Sequence, residues 1–488
     1  MNRRTFLQAG ATLLGVSPVS PITWQEQKKV DPRLQRDVEA VINGIEAVDC
    51  HEHPDEHAPE WAAGGLASYM KLTNYTPKDL WDLLFADYLA GLGGSDFTPR
   101  FRNHHADERA FFTWIKSHLP AGPEPFRQLK SSVASVAYQS YLSAFRDLYG
   151  MRGEDLGAST TDALNKRIGH VYRTKGRRAW YDEVRQRAGL STVIAIAPFP
   201  FADPENARRG LFPDRNLPKS FVPQLRVDPL LTGVSGRKQA VVVFGMTYAE
   251  LFHKTANAFG IVVDSAQSYR RLLDATFKSL VANGMRGIKN ATAYDRTLRF
   301  SRIETTDVDT IFRKPEKRRT DAELIALEDF AAWELAARAD RYGLPYVIHT
   351  AATGKPEWAD PENLRPMVAA FPRARFVLLH AGHPRYNVAC QMAREFRHVY
   401  VDMTWTPMIA SDPVDAYLSV VKLTPAERIL WGADMGSVEG MYGMWKLTRG
   451  ILAQAYARLV AGKQMTLEQA SVHAHKALRL NPRNLYAL

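Results

Sequence analysis

Eight short apolar runs, distributed along most of the 488-residue chain, constrain its fold more than any other feature. The runs are rich in Val, Ile and Leu and alternate with segments of helical pattern, which is typical of parallel strands buried on both faces. Eight such strands close into a (β/α)8, or TIM, barrel of about 250 residues, and the excess length is left for insertions. The predicted strands are residues 44–50, 192–198, 221–228, 286–290, 345–349, 375–380, 398–402 and 428–433.

The clearest helix signal lies before the fifth predicted strand. Thr320 is followed three residues later by Glu323, a pair that can form a capping box, and Gly343 lies where the helix should end. Thr466, followed by Gln469, marks the start of the last helix in the same way. The alternation of helices and strands therefore continues to the end of the chain.

The longest interval between strands follows strand 1. Residues 58–190 have a mostly helical pattern, broken by Gly and Pro at 91–94 and 120–125. An insertion of this size after strand 1 is expected to cover the barrel mouth and to help to choose the substrate. The alternative is a separate helical domain tethered nearby. We therefore predict one barrel domain over residues 30–488 with a helical insertion at 58–190.

The first 25 residues resemble an export signal. Arg3 and Arg4 are followed by Phe6 and Leu7, the pattern of a twin-arginine signal, and the apolar stretch 9–19 is shorter than a membrane span. We expect the twin-arginine machinery to export the protein to the periplasm or the extracellular space. No Ala-x-Ala cleavage site is present, so an uncleaved anchor is one alternative, and an ordinary N-terminal helix is another.

Charge and cysteine content argue against several classes of protein. The net charge is +11, but acidic residues interrupt the basic clusters at 173–187 and 313–319, and aromatic residues are not interleaved with them as in single-strand binders. A solvated basic face explains these clusters better than a nucleic-acid partner does. The two cysteines, Cys50 and Cys390, are too few for a disulfide scaffold, and we expect free buried thiols.

Histidine and aspartate residues follow four of the predicted strands. His51 and His53 end strand 1, His349 ends strand 5, His380 ends strand 6 and Asp434 follows strand 8. The C-terminal ends of barrel strands meet at one mouth, which is where catalytic residues lie. Two residues apart on a strand, His51 and His53 point the same way and can bind one cation. A single His-x-His is usually not a metal site, so the convergence of four strands carries this prediction.

These motifs resemble the amidohydrolase superfamily, in particular its amidohydrolase-related (amidohydrolase 2) branch. The sequence Val-Asp-Met-Thr-Trp at 401–405, Trp-Gly-Ala-Asp at 431–434 and Val-Glu-Gly-Met-Tyr-Gly at 438–443 is similar to the N-terminal barrel of some glutamine-synthetase-like fusion proteins. The resemblance covers residues 45–53 and then 192 onward. The insertion has no counterpart in it.

The resemblance implies a cofactor and roles for the strand-end residues. His51, His53 and His349 would bind a divalent cation, usually zinc, with Asp434 as a further ligand or as the base beside a bound water. His380 would polarise the substrate or transfer protons. One metal is favoured over two, and the same ligand types also suit manganese or iron.

Basic and aromatic residues near other strand ends are candidates for substrate binding. In relatives with two metals a modified lysine or a glutamate at the position of Lys289 bridges the ions, whereas in the branch resembled here Lys289 would instead bind substrate. Arg226 and Arg385 are predicted to bind substrate as well, and Tyr294 and Trp405 to line the pocket. A purely structural role is the stronger alternative for each of these four residues.

The function that follows is a metal-dependent hydrolase acting on an amide, a lactone or a related bond of a small molecule. A decarboxylase or a sugar-acid isomerase is the alternative on the same barrel, since one fold hosts several reactions. An exported protein that binds metal and ligand without turnover is the alternative of another class. A serine hydrolase is disfavoured because no Gly-x-Ser-x-Gly motif follows a strand. A homo-oligomer is compatible with the sequence.

Overall fold

The computed structural model describes residues 30–53, 136–151, 158–197, 217–237, 242–243, 246–351 and 355–488. The predicted signal at 1–25 and the insertion residues 58–135 and 152–157 lie outside the described residues. Within the described ranges, no helix combines the length and the apolarity that crossing a membrane requires.

Eight parallel strands form one sheet whose order follows the chain, as expected for a (β/α)8 barrel. All eight predicted strands are confirmed. The strands of this sheet are β1 (Ala47–Glu52), β2 (Leu190–Ala197), β3 (Phe221–Arg226), β6 (Ile288–Asn290), β7 (Pro345–His349), β8 (Arg375–Leu379), β9 (Val399–Asp402) and β10 (Ile429–Leu430). Two further strands, β4 (Val242–Val243) and β5 (Met246–Thr247), form a separate antiparallel pair that was not predicted.

Backbone hydrogen bonds join the two edge strands of the sheet, β1 and β10, near the C-terminal ends of the strands. Cys50 N donates to Trp431 O over 3.0 Å, and Asp434 N donates to His51 O over 2.8 Å. Residues just after β10 therefore continue along β1. This contact, which we call the seam, brings the end of strand 1 next to Asp434.

Helices surround the barrel, and local sequence explains where the clearest of them begin and end. The predicted capping box of Thr320 and Glu323 starts α9, and Gly343, in the left-handed conformation with φ 62°, ends it. Thr466 starts α15 with a capping box to Gln469, as predicted. The α-helices described are α1 (Pro32–Asn43), α2 (Val136–Tyr149), α3 (Ala158–Lys175), α4 (Arg177–Arg187), α5 (Asp228–Leu231), α6 (Tyr248–Ala258), α7 (Ala266–Ala282), α8 (Thr305–Phe312), α9 (Asp321–Tyr342), α10 (Arg365–Ala370), α11 (Tyr386–Glu395), α12 (Thr406–Ile409), α13 (Pro413–Leu423), α14 (Val438–Ala461), α15 (Leu467–His475) and α16 (Asn481–Tyr486).

The C-terminal helix α16 closes the end of the barrel opposite the mouth. Leu485 and Tyr486 are 1% exposed and belong to the apolar cluster inside the barrel, together with Cys50 and other inward-facing strand residues. Arg375, the first residue of β8, donates to the carbonyl of Asn484, which places this helix at the N-terminal ends of the strands. Cys50 and Cys390 are both free and buried, as expected.

The described part of the predicted insertion is helical and packs on the barrel. Its helices are α2, α3 and α4, and α2 crosses α14, the helix that follows β10. A Cβ atom at Gly443 of α14 would lie 2.0 Å from the carbonyl oxygen of Ser140, so the two helices touch backbone to backbone. The position of the insertion relative to the mouth as a whole stays a prediction.

Candidate metal centre

Three side chains from the two edges of the seam converge at the mouth of the barrel. His53 Nε2 lies 3.2 Å from Asp434 Oδ1, and His51 Nε2 lies 3.6 Å from the same oxygen. One potential ligand atom from each residue lies within 4.8 Å of the other two. Both imidazoles of the His-x-His motif thus reach the same carboxylate oxygen, and the three groups can share one ion.

The local backbone explains this convergence. The register of β1 is irregular between Asp49 and Glu52, and the Asp49 carboxylate accepts a hydrogen bond from His51 N over 3.1 Å. Across the seam, Met435 N donates to the Glu52 carboxylate over 3.2 Å. Together with the bond from Asp434 N to His51 O, these contacts fix the ends of both segments that carry the candidate ligands.

The chemistry of this group fits a divalent cation. Two imidazoles and a carboxylate are ligands that zinc prefers. Burial lowers the pKa of His51 well below its usual value, and the neighbouring Lys289 lowers it further, so the imidazole is neutral, as a ligand must be. Among the described residues, the buried Nε2 atom of His349 has no hydrogen-bond partner. Buried polar atoms normally have a partner, and a bound ion would provide one.

His349 and His380 form a hydrogen-bonded pair beside this group. His380 Nδ1 lies 3.1 Å from the carbonyl of Thr404, which can only accept, so Nδ1 carries the hydrogen. Burial lowers the pKa of His380 to about 4, and the neutral ring therefore has a bare Nε2, 3.1 Å from His349 Nδ1. His349 must donate from Nδ1, which leaves the lone pair of its Nε2 available. His349 lies outside the compact group of three, and its role as a ligand stays a prediction.

Lys289 and Arg226 lie side by side on neighbouring strands. The two residues are paired in register between β3 and β6. Lys289 is buried, and its Nζ lies 3.4 Å from His51 Nε2, so the structure places it directly against a candidate ligand. The Nε atom of Arg226 donates to Asp228 over 2.8 Å, and the side chain remains 23% exposed. The basic side chains of Lys289 and Arg226 therefore both lie at the mouth of the barrel.

Of two further residues predicted to contact the substrate, Tyr294 lies beside the histidines and Arg385 does not contact them in the described structure. The ring of Tyr294 lies 4.5 Å, centroid to centroid, from that of His349, so this tyrosine borders the site. Arg385, by contrast, is 57% exposed and forms an ion pair with Asp360. The described contacts do not connect Arg385 with the histidine group, and its role in substrate binding stays a prediction.

The backbone is left-handed, a conformation uncommon for residues other than glycine, at His380 and its neighbour Ala381 and at two further residues around the site. The φ angle is 61° at His380, 62° at Trp405 and 56° at Asp434. Each residue closely follows the end of a strand, and the ring of Trp405 lies 6.0 Å from that of His380. Strained backbone of this kind clusters at functional sites.

The sequence prediction missed polar residues that orient the histidines and the seam. Asp402 Oδ1 accepts from the backbone N and the hydroxyl of Thr404, over 2.9 and 2.6 Å, and thereby fixes the carbonyl that holds His380. Glu52 holds Met435, as described above. Both acids lie at strand ends beside candidate residues, so their positions in the sequence pointed to the site. A carboxylate that orients a neighbouring residue, however, has no characteristic sequence spacing that would identify this role.

Comparison with known proteins agrees with this fold. A sequence profile of the family described as Amidohydrolase matches residues 230–488, which is more than half of the chain. The chain therefore belongs to the amidohydrolase family. Over 133 residues it is 28% identical to the protein fluG of Emericella nidulans, and this stretch is 27% of the present chain but 15% of that relative.

Solved structures with the same fold include isomerases and a hydrolase. The glucuronate isomerase of Caulobacter crescentus superposes with a TM-score of 0.63 at 15% identity, covering 96% of this chain and 98% of its own. The uronate isomerase of Thermotoga maritima has a TM-score of 0.61 at 11% identity, with 95% and 100% covered. A putative metal-dependent hydrolase of Lactobacillus casei has a TM-score of 0.55 at 15% identity, with 94% and 98% covered. At these identities the similarity shows the fold alone.

Proposed function

We propose that the protein is a metal-dependent hydrolase that cleaves an amide, a lactone or a related carbonyl-type bond of a small molecule. The observation that carries the proposal is the approach of His51, His53 and Asp434 to within ligand distance of one another at the mouth of an amidohydrolase-family barrel. We assign these three residues to a single divalent cation, zinc in the first place, with His349 as a further ligand through its Nε2.

The proposed mechanism uses Asp434 and His380 to move a proton. A divalent cation held by His51, His53 and Asp434 would lower the pKa of a water from about 15.7 toward about 7 and so make hydroxide available at neutral pH. Asp434 would accept the proton from the water that attacks the carbonyl carbon, and the hydrogen bond from its backbone N to His51 O holds this residue at the seam. His380 Nε2 lies 3.7 Å from Asp434 Oδ2 and now accepts from His349, so passing the proton on toward the leaving group requires these two atoms to move closer when the substrate binds.

Lys289 and Arg226 are assigned to the substrate. A buried ammonium group on one strand and a partly exposed guanidinium on the next are suited to a carbonyl oxygen or a carboxylate. Arg385 is assigned to the outer part of the same substrate, an assignment that rests on its position in the sequence after strand 6.

A sugar-acid isomerase is the second candidate. The similarity in fold to the two isomerases extends over 95% and 96% of this chain, and the paired cations Lys289 and Arg226 suit an acidic substrate. Decarboxylation of a small acid would use the same residues. The non-catalytic alternative, an exported protein that only binds metal and ligand, predicts binding without turnover.

We also propose that the protein works outside the cytoplasm. The paired arginines Arg3 and Arg4 support export through the twin-arginine machinery to the periplasm or beyond the cell. The route carries folded proteins, which suits a protein that binds its metal before export. Fractionation of cells that express Arg3→Lys/Arg4→Lys protein, compared with the wild type, tests this location.

Metal analysis and chelation test the proposed hydrolase. We expect about one divalent ion per chain, loss of turnover after treatment with a chelator, and recovery when zinc is added. Asp434→Asn should lower kcat by about 10²- to 10⁴-fold, the usual contribution of a general base. His253→Asn is the matched control, because His253 is exposed on α6 and pairs with Glu316.

The products distinguish the candidate reactions. Hydrolysis in H₂¹⁸O places one ¹⁸O atom in the released acid, isomerisation gives a product of the same mass as the substrate, and decarboxylation releases CO₂. Amides, lactones, uronic acids and aromatic acids should therefore be assayed with the metal-loaded protein. Protein that purifies without metal and takes up no zinc would remove the basis of all three reactions.

A further inference from the structure

Three helices of the insertion meet at one buried carboxylate. Glu439, the second residue of α14, is 0% exposed. Its Oε1 accepts hydrogen bonds from Tyr149 OH of α2 over 2.5 Å, from Tyr172 OH of α3 over 3.1 Å and from Trp180 Nε1 of α4 over 3.2 Å. One side chain of the barrel thus binds all three described helices of the insertion.

The three hydrogen-bond donors allow the carboxylate of Glu439 to be buried. A carboxylate removed from water is costly unless hydrogen bonds replace its hydration. Tyr149, Tyr172 and Trp180 provide that replacement, and Trp180 also donates to Tyr149 OH over 3.1 Å, which ties two of the donors together. The helices and the start of α14 are therefore fixed in one arrangement.

A second contact joins the insertion to the loop that leads into α14. Tyr141 OH of α2 lies 3.2 Å from the hydroxyl of Ser437, and the same hydroxyl caps α14 by accepting from Gly440 N over 3.1 Å. A Cβ atom at Gly440 would lie 2.9 Å from Tyr141 OH, so the packing here leaves no space for a larger residue. The loop is held at its last residue.

The same loop begins at the candidate ligand Asp434. On the barrel side, Asp434 N bonds to His51 O, and His53 N donates to Met435 O over 3.1 Å. On the other side, the insertion holds Ser437 and Glu439. Residues 434–439 therefore form a short bridge between strand 1 and the insertion, with Asp434 at one end and Glu439 at the other.

We infer that Glu439 is a positioning residue, through which Tyr149, Tyr172 and Trp180 of the insertion set the position of Asp434 and hence the affinity of the metal site. The inference rests on the proposed metal centre. It assigns to the insertion a part in metal binding, in addition to the contacts with substrate that its place in the chain predicts.

Zinc affinity of the chelated full-length protein tests this inference. We would titrate zinc against a chromophoric competitor for the wild type, Glu439→Ala, Glu439→Gln and Tyr149→Phe. Residues that orient metal ligands usually contribute about 10- to 100-fold in affinity, so we expect a loss in this range for Glu439→Ala and a smaller loss for Tyr149→Phe. Glu439→Gln keeps an oxygen for the same donors and should retain most of the affinity.

Trp445→Phe is the matched control. Trp445 Nε1 donates to Ala188 O over 2.8 Å, so it joins the same helix α14 to the end of α4 through another buried hydrogen bond. It lies six residues beyond Glu439, about 9 Å along the helix axis at 1.5 Å per residue. We expect Trp445→Phe to lower thermal stability and to leave the zinc affinity within twofold of the wild type.

Unchanged zinc affinity in both Glu439→Ala and Tyr149→Phe would overturn the inference and leave the proposed function intact. Equal losses in Trp445→Phe and Tyr149→Phe would also overturn it, because the effect would then be general loosening. A wild-type protein that takes up no zinc would overturn the inference and the proposed function together. If Glu439→Ala fails to fold, Tyr149→Phe, which removes a single hydroxyl group, decides the question.

Discussion

At the scale of single residues, the candidate metal centre depends on one glycine at the seam. A Cβ atom at Gly432 would lie 2.6 Å from the Thr404 hydroxyl, 2.7 Å from His51 N and 3.1 Å from the Asp49 carboxylate. These neighbours are a backbone atom and two short side chains, which cannot move away easily. Two of the three residues also hold the segment around Asp434, since Asp49 accepts from Ala433 N and His51 O accepts from Asp434 N. No larger residue fits without moving strand 1 or Thr404.

Gly432→Ala should therefore lower both stability and metal affinity. Overfilling of a packed site costs about 1–3 kcal/mol, and the displaced His51 weakens zinc binding. Urea unfolding and zinc titration measure the two effects. In Gly450→Ala, the control, the new methyl group meets no atom within 4 Å in the middle of α14, so we expect a gain in stability of about 1 kcal/mol. Equal behaviour of the two variants would contradict this account.

The sequence predicted the residues that the strand ends bring together but not those that orient them. His51, His53, His380 and Asp434 were predicted because a polar residue after an apolar strand points to the barrel mouth. Asp402 was seen only as part of a resemblance, since its role depends on a turn that the pattern does not show. Arg385 was predicted from its place after strand 6, but the direction of a side chain at a helix start depends on tertiary packing.

At the scale of secondary structure, burial on both faces explains why all eight barrel strands could be predicted. Apolar runs are strongest where neither face of a strand contacts water. Strand ends were less accurate: strand 3 was predicted as 221–228 but ends at Arg226, because α5 starts at Asp228. The strands β4 and β5 contain two residues each, too few for any pattern to be recognised.

The helix α16 shows an element whose role the sequence did not predict. Its apolar residues would suit any surface helix, yet Leu485 and Tyr486 fill the closed end of the barrel. Truncation of a buried leucine leaves a cavity, so Leu485→Ala should cost about 2–5 kcal/mol. Leu480→Ala is the control, since Leu480 is 43% exposed and such changes usually stay within about 0.5 kcal/mol.

Denaturant midpoints and metal content of the two leucine variants separate stability from function. Leu485 lies at the end of the barrel opposite the candidate ligands, so the folded Leu485→Ala protein should still bind zinc with an affinity close to that of the wild type. A fall in stability of the same size in Leu480→Ala would show that α16 does not fill the barrel as described.

At the scale of the whole molecule, the candidate metal ligands lie across the seam that closes the barrel. His51 lies in the first strand and His53 directly after it, whereas Asp434 follows the last strand, so an ion bound by all three would link the two edges of the sheet. Since such a site exists only in the closed barrel, metal binding and folding are thermodynamically coupled.

Zinc should therefore stabilise the whole chain. At a free concentration 100 times the Kd, binding to the folded state alone adds about 2.7 kcal/mol to the free energy of unfolding. Thermal unfolding of chelated protein, with and without zinc, measures this gain as a rise in Tm. Asp434→Asn should lose most of the rise, while His170→Ala, a change at an exposed position on α3, should keep it. A zinc-dependent rise of equal size in Asp434→Asn would contradict the assignment of this ligand.

The seam also sets the order of events during synthesis. The hydrogen bond from Ala433 N to the Asp49 carboxylate spans 384 positions of the chain. At 5–20 residues per second, strand 1 leaves the ribosome roughly 20 to 80 s before the segment that completes it. During this delay the backbone groups of strand 1 that later bond to the segment after β10 would have no partner. Unpaired strand edges of this kind can pair with other chains, so we expect the nascent chain to depend on chaperones. The candidate metal centre would be complete only after translation has passed Asp434.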